Sequence, residues 1–407
     1  MVKEIRIGLR NYGKIDPLKI DDYLAAGGYN SLDKARVLRT AELIDEIKAS
    51  NLRGRGGAAF NAGLKWNFAA QAQAERKYVI CNADESEPGA YKDRLIMEND
   101  PHSILEGMAI CAHAIGAGQG FIYCRGEYPQ AAQTLKEAIA QAKAKGVLDD
   151  FTIEVRLGAG GYVCGEETAL IESLEGKRGE PRIKPPFPPV SGLWGQPTIV
   201  NNVETFAVIP AIVEKGAAWY AAIGAPSYPG TKILTLTGDV ANKTFFEVPT
   251  DTTLREVIYQ LGGGIANGKG IKTVQIGGTS GVFIPVSQLD TQISFDALRA
   301  IGASLGTGAI FVLDESRDLT DTIARIADFF AYESCGKCTP CREGTARIYD
   351  LIAKINRGKG SAADLALLER LGRVMSCSSF CGLGQAAPVP VLSSLKYFAA
   401  DYRAKLS

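Results

Sequence analysis

Histidine is nearly missing from this chain. Only His102 and His113 occur in 407 residues, which excludes a His-rich zinc site and leaves a histidine-centred triad almost no candidates. Net charge is missing too, because 45 lysines and arginines balance 45 aspartates and glutamates. No field exists to hold a polyanion or an anionic bilayer, so nucleic acid is not an expected partner. Long apolar runs are also lacking. The stretch from Phe206 to Ile223 is interrupted by Pro210, Glu214 and Lys215, and nothing approaches the roughly 20 residues needed to span a membrane. The opening MVKEIRIGLRNYGK alternates charged and apolar residues, without the apolar core or cleavage site of a secretory signal. Together these absences predict a cytoplasmic chain with no direct membrane insertion. There, nine cysteines serve as buried thiols, metal ligands or redox groups rather than structural disulfides.

Strand and helix patterns alternate as far as about residue 225. Residues 17 to 50 read as helical connections, with Thr40 as the expected N-cap of a helix burying Leu43, Ile44 and Ile47. Tyr78 to Asn82, Gly120 to Cys124 and Phe151 to Val155 read as strands, with helices over 103 to 116 and 129 to 145. This order predicts a mainly parallel sheet covered by helices. Five prolines between Pro181 and Pro189 forbid helix or central strand there and mark a long, stiff surface loop. From Lys232 a smaller α/β pattern begins, and after Asp314 the pattern is helical. Three units follow: 1–228, 229–313 and 314–407.

The sharpest local signal is Cys335-Gly-Lys-Cys338-Thr-Pro-Cys341. Three cysteines at intervals of three set their sulfurs around one turn, and Cys381, followed by glycines, is the best fourth ligand. The spacing suits one [4Fe-4S] cube better than zinc, whose ligands usually come as two separated pairs. A zinc knot is the alternative, and Cys377 is the weaker rival for the fourth position. Cys81, Cys111, Cys124 and Cys164 follow no spacing rule and read as buried apolar thiols.

Two glycine-rich loops run into helices. Gly54-Arg-Gly56-Gly57 exposes backbone N–H groups suited to an anion, though Ala59 occupies the place where a third glycine would complete G-x-G-x-x-G. Gly158 to Gly165 leads into Glu166 and Glu167, which also read as first-turn acids favoured by the helix dipole. A polar run, Asn82, Asp84, Glu85, Ser86 and Glu87, lies just past a strand, where open α/β sheets bind ligands and where a solvated turn is equally ordinary.

Taken together, Arg53-Gly-Arg-Gly-Gly-Ala-Ala-Phe60 with Lys65-Trp66, Cys81-Asn-Ala-Asp-Glu-Ser-Glu-Pro-Gly89, Gly165-Glu-Glu-Thr-Ala-Leu-Ile-Glu-Ser-Leu-Glu-Gly176, Asn201-Asn-Val-Glu-Thr205 and the cysteine set carry a family likeness. The chain resembles the NADH-binding flavoprotein subunit of respiratory complex I and its relatives in NAD-linked hydrogenases and formate dehydrogenases. The resemblance implies a Rossmann-like α/β domain for FMN, a ubiquitin-like (SLBB) α/β domain and a helical bundle carrying one [4Fe-4S] cluster. By motif it implies an FMN set of Gly54, Arg55, Gly56, Gly57 and Lys65 on the first loop, then Asn82, Asp84, Ser86, Gly165 and Glu166, and finally Asn201, Asn202 and Thr205. Phe60, Phe68 and Phe187 are implied to stack on the adenine of NAD(H), with Glu87, Tyr162, Glu167 and Lys184 as further contacts. Glu87 and Glu167 are expected nearest the hydride transfer. The resemblance further implies an NADH-oxidising diaphorase subunit, most closely of a soluble hydrogenase or formate dehydrogenase, with complex I as the alternative and a non-catalytic electron-transfer scaffold as another. Expected partners are a thioredoxin-like [2Fe-2S] subunit and a larger iron–sulfur or catalytic subunit, because this chain has no cysteine pattern for further clusters. Two departures bear on the nucleotide pocket: Ala59 stands where the family has glycine, and Asn61 where it has proline.

Overall fold

A computed structural model describes residues 4–407, so the first three residues of the N-terminal run lie outside the described residues. Strands β1 (Tyr78–Ala83), β2 (Gln119–Arg125), β3 (Thr152–Gly158) and β4 (Thr198–Asn202) form an all-parallel sheet in the order β3-β2-β1-β4. Val79, Cys81 and Ala83 of β1 enter one core, while Tyr78 and Ile80 enter another. That alternation is the period of two of a strand buried on both faces. The covering helices are α1 (Ile20–Ala25), α2 (Asn30–Val37), α3 (Thr40–Ala49), α4 (Ala62–Gln71), α5 (Lys92–Asn99) and α6 (Pro101–Ile115). They continue with α7 (Pro129–Ala144), α8 (Glu167–Leu174), α9 (Val203–Lys215) and α10 (Ala217–Ala221).

Helix α6 is buried along almost its whole length, as its nearly unbroken run of apolar and small residues requires. Cys81, Cys111 and Cys124 pack in this core and Cys164 in the next, as apolar thiols. One expected cap is displaced. Arg39, not Thr40, is the N-cap of α3, because its backbone N–H donates to Glu42 Oε2 at 3.2 Å and its Nε to Oε1 at 2.8 Å. One glutamate thereby satisfies an orphan donor and an arginine together, which a threonine at the cap would not do.

A two-residue ladder, β5 (Gly224–Ala225) with β6 (Tyr228–Pro229), leads into a second sheet. It comprises β7 (Thr231–Gly238), β8 (Thr244–Pro249), β9 (Ile271–Ile276), β10 (Val282–Ile284) and β11 (Ala309–Asp314), ordered β10-β9-β11-β7-β8. β7 and β11 are parallel and the other pairs antiparallel. A helical turn, Glu256–Leu261, and α11 (Phe295–Ala300) accompany it. The remainder is helical: α12 (Leu319–Glu333), α13 (Thr339–Asn356), α14 (Ala362–Ser378), α15 (Gly382–Ala386) and α16 (Val389–Arg403). Its core is continuous with the outer face of the parallel sheet, since Ile80, Phe121 and Val200 belong to the same cluster as Ile323, Ile348 and Leu368. No described helix is long and apolar enough to cross a membrane.

Candidate functional site

The first glycine loop is pinched shut at its base. Gly54 N–H donates to the Phe60 carbonyl at 2.8 Å and Ala62 N–H to the Leu52 carbonyl at 2.9 Å. Asn61 is the N-cap of α4, its Oδ1 accepting from Leu64 N–H at 2.9 Å, so it starts the helix by a route other than proline. Ala59 has φ +53° and is buried, its side chain packed in the second sheet's core. Its methyl group therefore fills the protein interior.

Lys65, on α4, donates to Glu167 Oε2 and to the Val200 carbonyl, both at 2.8 Å. Lys184, in the proline loop, lies 2.6 Å from Glu166 Oε1 and 3.6 Å from Glu167 Oε1. Glu166 is also the N-cap of α8, its Oε2 accepting from Thr168 N–H at 3.0 Å and Ala169 N–H at 2.9 Å. Two acids and two lysines thus tie α4, α8 and the proline loop into one wall. Burial pushes the Glu167 carboxyl up, yet Lys65 and Lys184 more than offset it and hold it below the usual carboxylate range.

The polar run after β1 supplies the opposite wall. Asn82 Nδ2 donates to the Gly165 carbonyl at 2.8 Å, Asn82 Oδ1 accepts from Asp84 N–H at 3.1 Å, and Ser86 Oγ donates to Asp84 Oδ2 at 3.1 Å. Asp84 Oδ1 is buried with no partner. Burial pushes this carboxyl up to about 7, so near neutral pH it is poised to donate to a ligand acceptor as well as to accept. A bare buried oxygen beside glycine-rich backbone is what a polar, ring-shaped ligand such as a flavin would satisfy.

Glu87 faces a cavity of about 330 Å³ that Tyr162, Arg125, Glu127, Phe329 and Glu333 also line. Tyr162 Oη donates to Glu87 Oε2 at 2.7 Å, and Ser280 N–H, from the turn between β9 and β10, donates to Glu87 Oε1 at 3.1 Å. Burial raises the Glu87 carboxyl above its usual range despite these donors. Tyr162 is fixed in turn: its N–H donates to Glu333 Oε2 at 2.9 Å, and its ring meets Phe329 edge-on at 5.2 Å.

Four members of the expected flavin set turn their side chains inward. Arg55 is fully buried, donating to Tyr220 Oη at 2.7 Å and the Pro229 carbonyl at 2.5 Å, and its backbone N–H donates to Thr205 Oγ1 at 2.9 Å. The Asn201 amide spans Trp66 Nε1 and the Val200 carbonyl, while Asn202 Oδ1 caps α9 by accepting from Glu204 N–H at 3.0 Å. Arg55, Asn201, Asn202 and Thr205 therefore shape the loop from behind. Phe60, Phe68 and Phe187 are each about half exposed, as stacking platforms must be.

Around the cysteines, Cys338 is the N-cap of α13, Cys341 lies in its first turn and Cys381 is the N-cap of α15. With Cys335 they line one cavity, together with Val163, Pro181 and Phe380. Cys377 is on the exposed surface of α14 and outside that cavity. Among the described residues, no three His, Cys, Asp or Glu side chains converge on a point that would hold one metal ion. The four thiols instead line one small, mostly apolar cavity. Burial, then the neighbouring thiols, push the Cys341 thiol up to about 11, so a bound cation is needed to hold it as thiolate. A Cβ on Gly384 would stand 2.9 Å from Cys341 Cβ and 2.8 Å from Ser379 Oγ, so only glycine permits this approach. Ser379 Oγ is buried and has no partner, and Ser334 Oγ lies 3.3 Å from Cys341 Sγ.

A roomier cleft of about 540 Å³ between β7, β11 and α12 contains none of these groups and is lined by residues already paired, Asp239 with Arg317 and Asp321 with Arg325. Sequence reasoning missed Ser280, Glu333 and Ser334. Only Ser334, adjacent to the cysteine motif, stood where a signal was available.

The chain matches known proteins along most of its length. Residues 47–211 match the family described as the Nuo51 FMN-binding domain, and residues 321–405 the NADH-ubiquinone oxidoreductase-F iron–sulfur binding region. The chain is 48% identical to the NADP-reducing hydrogenase subunit HndC of Solidesulfovibrio fructosivorans, over 99% of this chain and 84% of that one. It is 44% identical to the second F-type subunit of the NADH-quinone oxidoreductase of Rhizobium meliloti strain 1021 (98% and 97%) and 41% to the F-type subunit of the Escherichia coli K12 NADH-quinone oxidoreductase (95% and 90%). A crystal structure of an NAD+-reducing [NiFe]-hydrogenase in the H2-reduced state superposes with a TM-score of 0.89 at 35% identity, covering 100% of this chain and 68% of that one.

Proposed function

The chain belongs to the family of NADH-oxidising flavoprotein subunits found in complex I and NAD-reducing hydrogenases, and on that premise we propose how its residues divide the work. Bound FMN would supply the exchange between a two-electron hydride from NADH and single electrons, which a one-electron iron–sulfur centre in the same chain would serve. Cys335, Cys338, Cys341 and Cys381 hold the [4Fe-4S] cluster. Backbone of Gly54, Gly56, Gly57 and Gly165, with Lys65, Asn82, Asp84, Ser86 and Glu166, holds the flavin. Arg55, Asn201, Asn202 and Thr205 keep that cradle in shape. Phe60, Phe68 and Phe187 stack on adenine, and Lys184 and Tyr162 steady the dinucleotide.

Glu87 and Glu167 act nearest the hydride. Neither abstracts a proton, because hydride transfer between stacked rings needs alignment rather than a base. Glu167, clamped between Lys65 and Lys184, is the observation that carries this reading: it fixes three separate chain segments around one anionic group. His102 takes no part, since it is buried against Tyr29, at 3.0 Å from its hydroxyl.

We place the three functional units at 1–228, 229–313 and 314–407. The parent assembly is read as a soluble hydrogenase or formate dehydrogenase in the cytoplasm, with a thioredoxin-like [2Fe-2S] subunit and a larger iron–sulfur or catalytic subunit as partners. The equivalent position in complex I is the second reading, favoured by the near-full-length match to the Rhizobium meliloti NADH-quinone oxidoreductase chain. The chain carrying FMN and its cluster is expected to bleach its flavin absorbance on adding NADH and to reduce an artificial dye. A flavin-loaded chain inert in both assays would overturn the catalytic reading in favour of a scaffold. Identification of the subunits that co-purify anaerobically decides between the parent assemblies.

A further inference from the structure

Behind the glycine loop lies a buried charge cluster for which hydride transfer has no direct use. Lys92 begins α5 and Lys232 lies in β7, with exposures of 1% and 0%. Lys92 Nζ reaches Asp93 Oδ1 at 2.6 Å, Asn202 Oδ1 at 3.0 Å and Glu204 Oε2 at 3.0 Å. Lys232 Nζ reaches the same Glu204 Oε2 at 2.5 Å and the Ile233 carbonyl at 2.9 Å. Glu204 Oε1 is occupied by Ile233 N–H at 3.0 Å. Beside them the Arg55 guanidinium sits 4.3 Å from the Tyr228 ring centroid, with Nε and Nη1 unpartnered.

Three buried cations thus face two close acids, Asp93 and Glu204. Glu85 is a third buried acid that acts on Lys92 from farther off, but burial and Asp93 push its carboxyl above the usual range, so it offsets the third cation only in part. Burying charge is costly unless it is matched, and the match here is incomplete. Burial holds the Lys232 ammonium down to about 8 even with Glu204 against it. The cluster is continuous with the mouth of α9: Asn202 is that helix's N-cap, Glu204 is its second residue, and Thr205 accepts the Arg55 N–H.

We propose that Lys92 and Lys232 are positioning residues for the flavin's phosphate, forming a cationic backing behind the α9 N-terminus whose excess charge is matched when a phosphate dianion binds in front of it. This rests on the reading of the parallel sheet as the FMN site. The helix N-terminus and the glycine loop supply N–H groups at short range, and the buried ammonium groups supply full charge through a dry interior, where it is weakly screened. Because Lys232 belongs to the second sheet, retention of phosphate by the first unit depends on the second being docked. It also makes the site selective for FMN over the same ring system without its phosphate.

The test is titration of the flavin-stripped full chain with FMN and with riboflavin, followed by quenching of flavin fluorescence, for wild type, K92M, K232M and the charge-paired double variant K232M/E204Q. K92M and K232M are expected to bind FMN at least about tenfold more weakly while riboflavin affinity stays within about twofold. The double variant keeps the interior charge-balanced, so it carries the same expectation if K232M alone does not fold. Equal weakening of both flavins would assign these lysines a packing role and overturn the proposal, as would unchanged FMN affinity. If wild type binds neither flavin, the FMN reading itself fails; if wild type binds FMN and the variants match it, only the cationic backing fails.

Discussion

Replacing Gly278 by alanine isolates the contribution of the second sheet to the proposed dinucleotide site. Gly278 has φ +83°, and a Cβ there would lie 2.5 Å from Glu87 Cγ and 2.6 Å from both Cδ and Oε1. Ordinary contact needs at least about 3.4 Å, so Glu87 must retreat by roughly 1 Å or the turn must open. Glu87 is held by donors at 2.7 Å (Tyr162 Oη) and 3.1 Å (Ser280 N–H). A shift of that size breaks at least one of them, each worth about 1.5–3 kcal/mol as a bond to a charged group. The left-handed backbone costs alanine about a further 1–2 kcal/mol. G278A should therefore lose about 2.5–5 kcal/mol of stability, and a misplacement of ~1 Å at a positioned carboxylate should lower kcat/KM for NADH by about 100-fold. Steady-state dye reduction with flavin content held equal measures the second effect, and thermal unfolding the first. E87Q, which keeps the shape but removes the charge, serves as reference. A folded, flavin-loaded G278A with kcat/KM within about twofold of wild type would show that this turn does not position Glu87.

Other substitutions separate further effects. A59G relieves a left-handed alanine but removes a buried methyl group, terms of about 1 kcal/mol each and opposite sign; urea midpoints of wild type and A59G should agree within about 0.5 kcal/mol, and a larger change in either direction would contradict the packing described for that methyl. Asp84 is raised in the folded chain from 3.8 to about 7, so between those values the folded state binds more protons than the unfolded one. Its contribution is complete below about 4 and is lost as pH rises through 7, by at most ~1.4 kcal/mol per pH unit; D84N should abolish that part of the pH dependence of urea unfolding in the flavin-free chain. Ser334 Oγ accepts from Gly336 N–H at 3.3 Å, leaving its proton for the Cys341 thiolate of the loaded site. S334A should lower the cluster's midpoint potential in an EPR redox titration and S334T should restore it, because donors to cluster sulfur favour the reduced state; equal potentials for all three would remove Ser334 from the cluster's environment.

The parts of the site legible in the sequence are those whose members sit close together along the chain. Cys335, Cys338 and Cys341 announce themselves by spacing, and Gly54 to Gly57 by glycine density before a helix. What stayed hidden depends on long-range approach. Ser280 is 193 residues from Glu87, and Glu333 is 171 from Tyr162, so no local pattern could pair them. Direction was hidden as well. Arg55 sits in an apparent anion loop, yet its side chain points away from it, because Tyr220 of α10 and Tyr228 and Pro229 of β6, far along the chain, offer it a buried pocket. The fold class was readable from the alternation of strand and helix. Strands β10 and β11 were not, although glycine-rich turns precede both, since β10 gains its hydrogen bonds from β9 and β11 from β9 and β7.

Glu333 and Ser334 are consecutive residues. The first holds the Tyr162 backbone beside the proposed dinucleotide groove, and the second lies against the sulfur of Cys341, a proposed cluster ligand. One peptide unit, with a Cα-to-Cα span of about 3.8 Å, therefore anchors both ends of the proposed electron path to the same point of the chain. Tunnelling falls steeply with distance, so on that reading a single backbone anchor sets the positions of both ends.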